Sequence, residues 1–77
     1  MSERRLCDVA PGGRVEFVRF DTTLDAALRD RLVAYGISPS QRLEVVQQRP
    51  LSIVVCDHAE IAVEAAVAQR IIVRADK

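Results

Sequence analysis

Between Leu24 and Leu32 apolar residues recur at every fourth position, whereas most other apolar runs in the chain alternate. Leu24, Leu28 and Leu32, with Ala27 and Tyr35 beside them, form one apolar face of a helix. Asp25, Arg29, Asp30 and Arg31 take the opposite side. Thr22 followed three residues later by Asp25 approximates a capping box, with Asp replacing the usual Glu or Gln. Gly36 suits the left-handed position just past the helix, where a side chain is penalised. Ile37 can then fold back on Leu32, and Pro39 keeps the helix from resuming.

Alternation governs the remainder. Leu6 and Val9 precede a Pro11-Gly12-Gly13 turn, and the run RVEFVRF that follows reads as a strand. Val15 and Phe17 share one parity, Val18 and Phe20 the other, so a β-bulge or a bend is expected. Leu43 and Val45 lie on one face of a second strand, Gln41 to Gln48. Arg49-Pro50 marks a corner, after which Leu51, Ile53 and Val55 alternate as a third strand. Asp57-His58-Ala59-Glu60 is polar enough for a hairpin but lacks the glycine of a tight turn. Ile61 and Val63 give a fourth strand, and Ile71 and Val73 the closing one. Between them Glu64 to Gln69 reads as one helical turn, with Ala65 and Ala68 near the barrel. The fold class is therefore mainly β with one α-helix: about five strands plus a short helical turn, arranged as a partly open β-barrel.

A chain of 77 residues makes one domain, and the scarcity of aromatic residues leaves the core to Val, Ile, Leu and Ala. The 11 basic and 11 acidic side chains cancel, which argues against nucleic acid as a partner. Arg4, Arg5, Arg14 and Arg19 cluster early but are interrupted by Asp8 and Glu16, the pattern of a solvated surface. No run approaches the ~20 apolar residues that cross a bilayer. None follows the N-terminal arginines as in a secretory signal, so the expected location is cytoplasmic, without membrane insertion.

Candidate chemistry is sparse. Cys7 and Cys56 match no zinc or redox spacing and read as reduced thiols. Cys56, Asp57 and His58 place three possible metal ligands together, and in a strand Cys56 and His58 would share a face. Cys56 equally reads as a small buried hydrophobe and His58 as a turn residue. A stable site needs more convergent ligands, so no metal is assigned. No nucleophile has a matched base and there is no P-loop: the chain reads as a non-enzyme without a cofactor.

The order and spacing of several elements resemble the ferrous iron transport protein A (FeoA) family. The residues concerned are Leu6, Pro11, Gly12, Val15 and Val18, then Arg31-Leu32, Gly36-Ile37 and Pro39, and finally Ile61-Ala62-Val63, Ala68 and Ile71-Ile72-Val73. Pro11, Gly12, Leu32, Gly36 and Pro39 are its structural markers here. Ser40 stands where that family usually carries glycine, which opens the turn to a different type. The resemblance implies an SH3-like barrel acting as a cytoplasmic accessory of ferrous iron uptake. Its implied partner is the membrane permease FeoB, through the permease's cytoplasmic G-protein region. A free-standing ferrous-metal sensor using Cys56 and His58 is the alternative. The helix-to-strand region offers Arg31, Tyr35, Ile37, Ser38 and Arg42 as a partner-binding surface, since tyrosine and arginine are favoured at interface centres. Barrel edges also leave a homo-oligomer open.

Overall fold

The computed structural model describes residues 2–76. Its strands are β1 (Arg4–Arg5), β2 (Arg14–Phe20), β3 (Arg42–Gln47), β4 (Ser52–Cys56), β5 (Ala59–Val63) and β6 (Ile71–Ala75). The helices are α1 (Ala26–Ala34) and α2 (Ala65–Ala68), and Leu6–Asp8 forms a 3-10 turn. All strand pairs are antiparallel, in the order β1-β6-β2-β3-β4-β5, so β1 and β5 are the sheet's edges. The sheet curls into a small, partly open barrel around one cluster of buried aliphatic side chains with Phe17.

Strand β1 is one more than the pattern predicts. Two arginines carry no apolar alternation, yet their backbone pairs with β6 at Arg4↔Val73 and Arg5↔Ile72. Of the two, Arg5 pairs with the Asp21 carboxylate and Arg4 donates to the Asp8 carbonyl, while Arg19 and Arg74 on the neighbouring strands pair with Glu3 and Glu16.

In β2 the register with β6 shifts between Phe17 and Arg19. That bulge reconciles the two parities: Val15 and Phe17 are buried, and Phe20 packs on Phe17 with ring centroids 4.7 Å apart. Two turns brace the β2–β3 pair. Pro11 and Gly12 occupy the middle of a turn closed by Gly13 N–H to Ala10 O at 3.0 Å, with Gly12 at φ +90. A Cβ on Gly13 would come within 2.7 Å of a Val9 methyl, so only glycine fits there. Pro39 and Ser40 occupy the second turn, closed by Gln41 N–H to Ser38 O, and Ser40 takes φ +70. The family-like turn with positive φ after proline is therefore kept despite the serine. Its Ser40 N–H donates to Phe17 O, docking the turn on β2 beside the bulge.

Several expectations need correction. The cap of α1 is Asp25, not Thr22: its Oδ2 accepts the Leu28 N–H at 3.1 Å. The upstream acid is Asp21, whose carboxylate accepts Thr23 N–H and Thr23 Oγ1–H, each at 3.0 Å. In β4 the parity is inverted. Ser52, Val54 and Cys56 face the core, whereas Leu51 is exposed and Ile53 and Val55 are only half-buried. All but the first residue of SIVVC are apolar, so alternation cannot select a face. A hydrogen-bond network does so. Ser52 Oγ–H donates to Gln48 Oε1, and Gln48 Nε2–H donates to the Leu6 and Val9 carbonyls at 2.9 and 2.6 Å. In α2 only Ala68 is buried, and Ala65 is exposed.

Candidate docking groove

Helix α1 stops in a Schellman arrangement. Gly36 N–H donates to Val33 O at 2.9 Å, and Ile37 N–H reaches Leu32 O at 3.2 Å. Gly36 has φ +107, and Leu32 and Ile37 are both fully buried in the core. This sharp exit leaves Tyr35, at the end of the helix, 53% exposed. Across from Tyr35 runs the edge strand β5.

The β4–β5 connection is a two-residue hairpin loop with Cys56 opposite Ala59. Asp57 (φ +51) and His58 (φ +71) both adopt the positive-φ geometry that tight hairpins require, without a glycine. Residues flanking such a loop form a hydrogen-bonded pair, and bonding then alternates along the strand. Ala59, Ile61 and Val63 therefore bond to β4, while Glu60 and Ala62 turn their N–H and C=O groups away from the sheet. No other described segment pairs with that edge.

Two adjoining cavities follow the edge. One, about 260 Å³, is lined by Tyr35 and by Ala59, Glu60, Ile61 and Ala62. The other, about 220 Å³, continues past Tyr35 and Ala62 to Leu28, Arg31, Val63, Glu64 and Val67. Sharing Tyr35 and Ala62, they make one open groove between α1 and β5, apolar on its floor and charged at its rim.

The sequence-predicted surface divides on this geometry. Arg31 and Tyr35 meet at the groove. Ile37 is completely buried and cannot touch a partner; its role is to anchor the helix stop. Ser38 closes the Pro39-Ser40 turn through its carbonyl. Arg42 lies elsewhere, over a separate cavity with Arg14 and Glu44, 3.6 Å from Asp76. The contribution of β5 escapes a reading by residue type, because it consists of backbone groups. The signal that could reveal it is a short strand placed last in the pairing order.

The Cys56–His58 pairing fails for a local reason. The hairpin begins immediately after Cys56, so the two residues are not in one strand. Cys56 is 1% exposed, its Sγ 3.6 Å from Gly36 O, while His58 sits exposed in the loop. Burial pushes the Cys56 thiol above its ordinary value. Burial and the adjacent Asp8 do the same to Cys7, so neither thiol is biased toward the thiolate that binds metal. Among the described residues no three His, Cys, Asp or Glu side chains gather to hold a metal ion.

Against known families, residues 4–75 match the FeoA domain model. The chain belongs to the FeoA family. Among solved structures, a crystal structure described as the iron uptake regulatory protein FeoA aligns at a TM-score of 0.81 and 22% identity. That alignment covers 96% of this chain and 97% of the other. The FeoA protein of Chlorobium tepidum aligns at 0.88 and 22% identity, covering 96% and 71%. A manganese-dependent transcriptional repressor aligns at 0.86 and 25% identity, but this chain, 96% covered, spans only 42% of it. These likenesses establish the barrel. No curated protein matches the sequence. FeoA-family membership ties the chain to ferrous iron transport, and among the described residues no helix is long and apolar enough to cross a membrane.

Proposed function

We infer that this FeoA-family chain is a non-catalytic, cytoplasmic accessory of ferrous iron uptake. It docks on the cytoplasmic G-protein region of the permease FeoB and modulates transport. The observation that carries this reading is the family match over residues 4–75, joined to an open groove where Tyr35 and Arg31 face an unpaired strand edge. Tyrosine and arginine beside an apolar floor are what a partner interface needs at its centre. The metal-sensor alternative has lost its ligand pair, since Cys56 is buried and His58 is not beside it.

The test is ferrous iron uptake under iron limitation in cells lacking the chain. Uptake is expected to fall, and to recover when the wild-type chain is restored. Undiminished uptake without the chain would overturn the assignment.

A further inference from the structure

We propose that the groove receives an extended peptide segment as an added strand on β5, with a basic side chain of that segment facing Glu60. The inference rests on the docking reading of the same groove and specifies the kind of surface that the partner must present. Three observations converge. First, the outward N–H and C=O groups of Glu60 and Ala62 form a two-rung ladder with no partner among the described residues. Exposed ladders of this kind accept strands by main-chain hydrogen bonding.

Second, the groove is shaped for a strand's alternation. A residue opposite Ile61 would point to the same side as Ile61, toward the cavity that Ile61 lines with Tyr35, and so should be aliphatic. Residues opposite Glu60 and Ala62 would lie on the other face, in solvent.

Third, that face carries an unpaired acid. Glu60 is exposed and is in no ion pair among the described residues, and the adjoining hairpin loop adds exposed Asp57, also in none. Arg31 shares its end of the groove with Glu64, so the uncompensated charge lies toward the hairpin. A Lys or Arg placed opposite Glu60 would make a favourable cross-strand pair. The same charge disfavours a second copy as the occupant. Two β5 edges paired about a two-fold axis at Ile61 would set the two Glu60 side chains on one face as diagonal neighbours, with like charge.

The full 15N-labelled chain, titrated with the blocked peptide Ac-Ile-Lys-Ile-Lys-Ile-NH2, tests this mode. The Glu60 and Ala62 amides should show about tenfold slower hydrogen exchange at saturation. Replacing both lysines with glutamate should weaken binding about tenfold, because cross-strand attraction becomes repulsion. Methylating the two lysine backbone nitrogens should abolish it, since those groups meet the β5 carbonyls. Glu60 is exposed, so a Glu60→Lys chain should keep its spectrum while preferring the glutamate peptide. The proposal is overturned by no binding at millimolar peptide, by shifts away from β5, or by equal binding of the acidic or methylated peptides. Protection of Glu60 and Ala62 that rises with protein concentration alone would assign the edge to a second copy and also overturn it. If the peptide fails while the chain still binds the permease, only the strand mode falls. If uptake is independent of the chain but the peptide binds as described, the strand mode stands without the transport role.

Discussion

Among the described residues three non-glycines, Ser40, Asp57 and His58, hold positive φ, and each sits in a turn that the barrel cannot omit. A side chain in that region costs about 1–2 kcal/mol, and glycine would avoid the penalty. At Ser40 the backbone N–H is already committed to Phe17 O, so the conformation is held from both sides. Ser40→Gly should therefore stabilise the fold by about 1 kcal/mol, less what glycine adds to unfolded-state entropy. Urea unfolding would read this as a higher midpoint at unchanged slope. A midpoint at or below wild type would refute it. Gly36 is the converse case. A Cβ there would meet only Cys56 Sγ, at 4.0 Å, so its φ of +107, not crowding, calls for glycine.

At the scale of elements, α1 and its stop were legible from Leu28, Leu32, Gly36 and Pro39, although the helix begins only at Ala26, so that buried Leu24 precedes it, and Ala27 of the expected apolar face is exposed. The bulge in β2 was legible from its conflicting parities. Strand β4 was not, because Ile53 and Val55 compete on equal terms with Val54 and Cys56 for the interior. What turns Ser52 inward is Gln48, a residue of the preceding strand's exit that links Ser52 to the Leu6 and Val9 carbonyls. Its Nε2 holds the 3-10 turn against the barrel. Gln48→Leu should strand those acceptors and cost about 2 kcal/mol. Denaturant unfolding should show the loss in full, while an unchanged midpoint would mean that water replaces the amide. For the docking groove, Tyr35 and Arg31 were readable as exposed anchors on the helix. Ile37 was misread because its place after the stop forces it inward, and the β5 edge carries no side-chain signature.

Over the whole molecule, charge neutrality conceals a distributed set of ion pairs between segments distant in sequence, most of them exposed and individually weak. Asp21 differs from the others. Its carboxylate accepts the Thr23 backbone and hydroxyl hydrogens and then Arg5, and its backbone N–H donates to Arg70 O, where the chain enters β6. The Thr23 hydrogen bonds, followed by Arg5, lower its pKa to about 2. Because the folded pKa lies below the unfolded value of about 3.9, this stabilisation is present above that value. It is lost as pH falls toward 2. Asp21→Asn should lower stability at neutral pH and flatten the decline between pH 4 and 2, measured by thermal unfolding across that range. An unchanged acid limb would place the titration elsewhere.

The central claim is that the α1–β5 groove docks on the permease. Its most direct test is titration of the purified chain against full-length FeoB in lipid nanodiscs, in each nucleotide state. The wild-type chain should bind, and Tyr35→Asp should weaken binding by at least about tenfold without altering thermal stability, as expected for a central interface residue. Arg14→Ala, over the separate cavity beside Arg42, should bind as wild type does. Equal binding by the Tyr35→Asp chain, or no binding by the wild-type chain in any nucleotide state, would contradict the groove as the docking site.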